Sequence, residues 1–586
     1  MNVAEAVGAV LASLGVRAAF GVVGSGNFHV TNSLVRHGVR YVAARHEGGA
    51  ATMADAYARM SGTVAVLSVH QGPGLTNALT GITEAAKSRT PLIVLAAEAT
   101  APLSNFRIDQ AALASAVGAH GARVSSAETV VDDTVMAFLA ALLGRRTVLL
   151  NLPLDVQAEV LPDEVAHAVQ ELRAGRGRGH QDAVSRLAAT PWGLTFPSDQ
   201  ERPTDQAWES GEEPAAPSSP SEAMGRLADL LAAAERPVFL AGRGARGARH
   251  ELEDLAGEVG ALLTTSAVMK GLFRGSPWDL DVSGGFASPL AAELIREADV
   301  IVAWGCSLTM WTTRHGTLIG PDTKLVQVDL DPDAIGANRP VDLGVVGDVR
   351  ETARAVRASL GTSGDAVSRG YRSPELAERI AREVRWRDVP YDDTSGNGRI
   401  DPRTLSIELD DLLPEERLVA VDSGNFMGYP AMYLSVPDEA SFCFTQAFQS
   451  IGLGLASAIG AALARPDRLP VAALGDGGAL MSVAELETLV RLGIPMVVVV
   501  YDDDAYGAEV HHFGLDGFPL ETVTFPPVDI AEIARGFGCE AVAVRERGDL
   551  AGVAEWLKSP RDRPLVVHAK VTAEASWWLE EAFRGH

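Results

Sequence analysis

Two periods alternate along the chain. Short continuous apolar runs mark strands buried on both faces, and between them apolar residues fall three and four apart, the mark of one-sided helices. Over residues 1–160 this pattern predicts a helix at 2–14, strands at Ala18–Val23 and Tyr41–Ala43, and a helix at 47–59. A strand at Thr63–Val69, a helix at 73–87 and strands at Leu92–Ala96 and Thr147–Leu152 follow. The rhythm resumes over 222–360, where PVFLAGRGARG reads as a strand and a glycine turn, and ADVIVAWGCS and KLVQVDLDPD read as strands with polar exits. It returns over 401–586. Strands alternating with helices predict doubly wound parallel sheets. The expected fold is therefore α/β, with three such domains read as copies of one sheet type. Residues 161–221, which include SDQERPTDQAWESGEEPAAPSSPSE, are rich in Pro, Ser and acids and read as a linker. Residues 361–400 read as a second polar connection.

The most informative stretch is VAALGDGGALMSVAELETLVRLGIPMVVVVYDDDAYGAEV, residues 471–510. It reads as strand, glycine turn, helix, strand and acidic turn. In a parallel sheet both turns emerge at the same carboxyl edge, so Asp476 and Asp503, 27 positions apart, can converge. Glycines beside a carboxylate let backbone amides approach a phosphate while the carboxylate holds a hard cation. The pattern points to a metal-bridged diphosphate site.

Composition narrows the partners. The 586 residues carry a formal net charge of −26, which argues against nucleic acid or an anionic membrane as a partner. The three cysteines make neither a disulfide framework nor a zinc motif and fit a reducing, cytoplasmic setting. The opening MNVAEAVGAVLASLGV has helical spacing and no charged leader, and reads as a first helix rather than a signal peptide.

Gly475-Asp476-Gly477, with Asp503 at its distance, resembles the cofactor motif of thiamine-diphosphate (ThDP) enzymes, the group of acetolactate synthase, benzoylformate decarboxylase and pyruvate decarboxylase. The resemblance implies Mg2+ held by Asp476, Asp503 and the carbonyl of Ala505, with Gly475, Gly477 and Gly478 against the diphosphate. Asp503 departs from the usual Asn and adds a negative charge beside that diphosphate. RHEGGAATMADAYAR, residues 45–59, is similar to the segment carrying the family's activating glutamate. Glu47 would then hydrogen-bond N1′ of the aminopyrimidine. HQGPGLTN, residues 70–77, resembles the turn beside that ring, which implicates Asn77. His70 and Ser25, in Gly24-Ser25-Gly26-Asn27, look like the benzoylformate decarboxylase group, in which the serine faces the substrate carboxylate. Histidine suits proton transfer at neutral pH.

Gln110 falls where acetolactate synthases carry a glutamine. Phe448-Gln449-Ser450-Ile451-Gly452 resembles the segment whose bulky apolar residue, here Ile451, bends the cofactor, with Gln449 alongside. Ser423 exits the first strand of the third domain. Around Asp503, DDDAYGAEV resembles NNGTYGAL of the decarboxylases, which places Tyr506 and Gly507 at the cofactor and Glu509 in the substrate pocket as a proton carrier.

In the second domain Gly242-x-Gly244-x-x-Gly247 matches the dinucleotide fingerprint, yet no acid closes the next strand. Cys306-Ser307 stands where flavin-binding relatives carry an arginine, so bound FAD is not expected. The resemblance implies a lyase or transferase that decarboxylates a 2-oxo acid through a C2-bound enamine, giving an aldehyde or a carboligation product. The site would lie between subunits of a homodimer or homotetramer. The competing readings are an acetolactate-synthase-like carboligase without flavin, and a non-catalytic ThDP-binding protein.

Overall fold

The computed structural model describes residues 1–175, 220–360 and 370–574. They form three six-stranded parallel sheets covered by helices, a three-domain α/β architecture. The first sheet holds β1 (Ala18–Gly21), β2 (Arg40–Ala43), β3 (Ala65–Val69), β4 (Leu92–Glu98), β5 (His120–Arg123) and β6 (Thr147–Pro153), in the order β2-β1-β3-β4-β6-β5. The second holds β7 (Pro237–Ala241), β8 (Leu262–Thr265), β9 (Asp279–Val282), β10 (Val300–Trp304), β11 (Lys324–Asp329) and β12 (Leu343–Val346), in the order β12-β11-β10-β7-β8-β9. The third holds β13 (Arg417–Val421), β14 (Phe442–Phe444), β15 (Leu469–Gly475), β16 (Val497–Asp502), β17 (Glu540–Val544) and β18 (Leu565–Lys570), in the order β14-β13-β15-β16-β18-β17.

The first and third sheets thus share one order, whereas the middle sheet winds differently. Strand sequence alone does not separate these cases, because each crossover helix can return the chain to either side. In an open α/β sheet ligands gather where the winding reverses, at the carboxyl ends of the strands. That point lies between β1 and β3 in the first sheet and between β13 and β15 in the third. In the middle sheet it lies between β7 and β10, and backbone fills it. A Cβ on Gly244 would sit 2.7 Å from Gly305 Cα, and the Gly242 and Gly244 amides donate to the carbonyls of Trp304 and Gly305. The glycine fingerprint is spent on this close turn.

Two polar stretches contain more order than their composition suggests. The helix Asp163–Ala174 lies inside the first expected linker and packs Val169 into the first domain's core. The helix Pro374–Glu383 lies inside the second and buries Ile380 against the middle domain. Each fully buries a single side chain, too sparse a pattern to read as a helix. The remainder of the Pro/Ser-rich stretch, 176–219, falls outside the described residues.

The first and third domains share a core. The helix Glu47–Ser61 lies so close to the helix Gly454–Ala464 that a Cβ on Gly460 would sit 2.2 Å from the Met53 carbonyl oxygen. At the far end of this contact is a buried ionic cluster. Arg59 meets Asp55 at 2.6 Å and Glu84 at 2.7 Å, with the three side chains 10%, 0% and 1% exposed. Glu84 also accepts the amides of Ala447 and Phe448, at 3.1 and 2.6 Å. The middle domain reaches the same place: Arg243 donates to the Ser88 carbonyl and Arg246 to that of Arg59. Burial alone would raise Glu84, but Arg59 and the two amides outweigh it and hold the carboxyl below its ordinary value.

Candidate active site

Loops after three adjacent strands, β2, β1 and β3, bring the first group together. Glu47 is the first residue of its helix and is capped by His46, whose Nδ1 accepts the Gly48 amide at 3.0 Å. Asn77 donates to Glu47 Oε2 at 3.1 Å. His70 follows β3. Its Nδ1 lies 2.9 Å from the Gln71 carbonyl, which can only accept, so in this bond Nδ1 carries the proton. Nε2 therefore faces the Ser25 hydroxyl at 3.3 Å with a lone pair whenever the ring is neutral. Gly74 stands between the two halves: a Cβ there would lie 3.0 Å from His70 Cβ and 3.7 Å from Glu47 Oε1. Glycine is equally required at Gly24, where a Cβ would overlap the His70 ring. Ser25, Glu47, His70 and Asn77, expected separately, form one constellation. Gln110 is buried and its amide donates to the Ala97 carbonyl at 2.8 Å, while its Oε1 has no hydrogen-bond partner among the described residues.

In the third domain Asp422 is the organiser, a residue the sequence reading passed over for Ser423. Fully buried at the end of β13, it accepts the amides of Ser423, Gly452 and Leu453 at 2.9, 3.0 and 3.1 Å. This anchors the loop that presents Gln449 and Ile451. Gln449 is held at φ +60°, a left-handed backbone that L side chains rarely adopt. A Cβ on Gly478 would fall 2.3 Å from Asp422 Oδ2, and one on Gly477 2.6 Å from the Tyr506 ring. Glycine is thus enforced where backbone amides open the helix Asp476–Met481. Tyr506 packs edge-on against Phe525 at 4.9 Å. Gly507 lies under Asp503, whose Oδ2 would be 2.3 Å from a Cβ there, and opens the helix Gly507–Gly514 that carries Glu509 in its first turn.

Asp476 and Asp503 are the cation's expected holders. Burial, together with the charges of Asp503 and Asp502, raises Asp476 to about 7. Burial is also the main cause for Asp503, which rises to about 6. Two carboxylates kept from water and from each other's comfort fit a divalent ion, and the glycine-floored helix start beside them fits a diphosphate. Ala505, the expected carbonyl ligand, is fixed by a bridge to Thr524. A consequence follows for the metal-free protein. Acids held above their unfolded value favour the fold when protonated, so that contribution is present at low pH and is lost as pH rises through about 6 and about 7. The melting temperature of metal-free protein should fall from about pH 4 to about pH 7 and level off above that, and excess Mg2+ should remove much of that fall. An identical pH profile with and without Mg2+ would contradict it.

Among the described residues the Glu47 side chain bonds to Asn77. The third domain holds the backbone just before Glu47. Glu485 accepts the amides of Arg45 and His46, each at 3.0 Å. No sequence signal marks Glu485, because its partners lie some 440 residues away.

Models of the thiamine pyrophosphate enzyme N-terminal TPP binding domain, central domain and C-terminal TPP binding domain match residues 1–121, 224–356 and 422–569, together more than half of the chain. A protein of Pseudomonas aeruginosa named "Probable 2-ketoarginine decarboxylase" is 29% identical, with 94% of this chain and 90% of the relative covered. A sulfoacetaldehyde acetyltransferase of Rhodobacter capsulatus is 28% identical, with 94% and 90% covered. A "Probable acetolactate synthase large subunit" of Methanocaldococcus jannaschii is 27% identical, with 86% and 81% covered. Among solved structures, the Rhodococcus jostii thiamine diphosphate-dependent 4-hydroxybenzoylformate decarboxylase superposes with a TM-score of 0.74 over 98% of this chain and 99% of its own, at 20% identity. With its three matched domains in order and its loops gathered at the two winding reversals, the chain belongs to the thiamine pyrophosphate enzyme family.

Proposed function

We propose that this chain is a ThDP- and Mg2+-dependent enzyme that removes carbon dioxide non-oxidatively from a 2-oxo acid and releases an aldehyde or passes the acyl carbon to a second carbonyl compound. The observation that carries this reading is the Ser25–His70 pair beside the Glu47–Asn77 pair at one sheet edge. Bound ThDP would supply the electron sink for loss of carbon dioxide. Glu47 holds a proton at N1′ of the aminopyrimidine, and Asn77 orients Glu47. Ser25 meets the substrate carboxylate. His70, fixed by the Gln71 carbonyl, exchanges a proton at Nε2 through that hydroxyl. Gln110 supports the wall. Asp476, Asp503 and the Ala505 carbonyl hold the cation. Gly475, Gly477, Gly478, Ser423, Tyr506 and Gly507 receive the diphosphate end, Gln449 and Ile451 flank the bend, and Glu509 moves a proton on the substrate side.

Two copies complete one site in this reading. Exposed apolar side chains flank both halves: Phe28 and Leu103, the latter 97% exposed, in the first domain, and Met481 and Leu515, the latter 86% exposed, in the third. Among the described residues no helix is long and apolar enough to cross a membrane.

The alternative is carboligation without a flavin. It is favoured by the acetyltransferase and acetolactate synthase relatives. The test is incubation with ThDP, Mg2+ and a panel of 2-oxo acids, with products followed by mass spectrometry. Aldehyde alone assigns a decarboxylase, and a hydroxyketone or acetohydroxy acid assigns a carboligase. ThDP bound with no carbon dioxide from any acid would sink both.

A further inference from the structure

The carboxyl end of β16 carries three consecutive acids, Asp502, Asp503 and Asp504, and the structure accounts for two of them. Asp502 Oδ2 lies 2.5 Å from His568 Nε2 and 2.7 Å from Lys570 Nζ. Asp504 is held by Lys570 at 2.6 Å and by Arg399 at 2.5 Å. These contacts fix Asp504 at φ +61°, where the similar decarboxylase segment has glycine. Arg399 spends a further N–H on the Val571 carbonyl at 2.9 Å. Among the described residues, Lys570 pairs with Asp502 and Asp504 and Arg399 with Asp504. Asp503 forms no ion pair among the described residues, and neither does Asp476. The Asp503 carboxylate is also pinned: its Oδ2 lies over the Gly507 backbone where a side chain would stand, with the Asn425 amide beside the same position.

We propose that Asp503 makes the cation site of this chain self-sufficient, so that a divalent ion binds before the diphosphate and independently of it. The inference rests on the ThDP-site reading above and extends it. A site with one carboxylate and neutral oxygen donors leaves a divalent ion with a net positive charge, and the arriving diphosphate supplies the missing neutralisation. Here Asp476 and Asp503 together cancel the ion's charge. The ion then gains little from the diphosphate, and the diphosphate gains less from the ion. Divalent-ion affinity rises with the number of charged ligands. By reciprocity, the factor by which the diphosphate tightens the ion is the factor by which the ion tightens the diphosphate, so a smaller gain on one side is a smaller gain on the other. The cations of Arg399 and Lys570, with the His568 imidazole bonded to Asp502, are what let three adjacent acids sit at one strand end without breaking the turn.

The experiment is a titration of Mn2+ into full-length protein freed of metal and cofactor, at high ionic strength, reading free Mn2+ by its electron paramagnetic resonance signal. One site per chain is expected without ThDP. Asp503→Asn, nearly isosteric, should weaken that site by about ten-fold or more while tightening ThDP at saturating Mn2+, measured by fluorescence quenching. Retained ThDP binding shows that the variant's site is folded. Asp476→Asn should also weaken the Mn2+ site, which locates it. Wild-type protein that binds Mn2+ only together with ThDP, or an Asp503→Asn variant with unchanged Mn2+ affinity, would overturn the inference and leave the ThDP reading intact. Protein that takes up neither Mn2+ nor ThDP under any condition would overturn both.

Discussion

Glu47→Gln protein should bind ThDP and Mg2+, melt near the wild-type temperature, and release carbon dioxide about 10^2- to 10^4-fold more slowly. The two halves of this expectation have different physical sources. As the first residue of its helix, Glu47 gains from the dipole only about 0.3–1 kcal/mol, and the amide keeps a carbonyl oxygen for Asn77 to donate to. Stability should therefore barely move. Chemistry should collapse, because an amide cannot hold and exchange the proton that a carboxyl group does. The measurement is single-turnover carbon dioxide release, with cofactor binding checked by calorimetry. Unchanged release with cofactor bound would remove Glu47 from the mechanism. Lost release with a collapsed melting temperature would mean that the residue matters to the fold instead.

Arg59→Met should be the most destabilising single change at the junction of the three domains. It leaves Asp55 and Glu84, 0% and 1% exposed, without their counter-charge. Removing one partner of a buried ionic group costs about 3–5 kcal/mol, because the remaining charge stays buried. Asp55 is already raised by burial, and the raised proton affinity limits but does not cancel the loss. Loss of the cluster should also loosen the backbone of Ala447 and Phe448, which Glu84 holds at the start of the loop bearing Gln449 and Ile451. Denaturant unfolding should show an earlier first transition, and hydrogen exchange should show reduced protection at residues 447–452. Arg59→Met protein with wild-type unfolding would mean that the cluster is an ornament of packing.

Some of this was legible in the residues because it is local. Apolar runs and helical spacing give the strands and helices of the three units, and a glycine turn bearing an acid after a strand implies its own chemistry wherever the strand lies. Glu47, Asp476 and Asp503 are of this kind. The edge strand β5 (His120–Arg123), with alternating exposure, and the helices Asp163–Ala174 and Pro374–Glu383, with one fully buried residue each, were not legible, because too little apolar pattern marks them.

The sequence by itself determined the alternation of strands and helices, the glycine turns, and the chemical types of the residues at the strand ends. Tertiary structure alone decided the winding of the middle sheet, which closes the Gly242 fingerprint by backbone contact with Gly305. It paired Ser25 with His70, 45 positions apart, and made Asp422 the anchor of three amides. It also drew Arg399 from a polar connection to balance Asp504, leaving Asp503 without an ion pair among the described residues. The physical reason is common to all of these. Periodicity records what one segment does with its own neighbours, whereas hydrogen bonds and ion pairs at a sheet edge are set by which distant strands come to lie side by side.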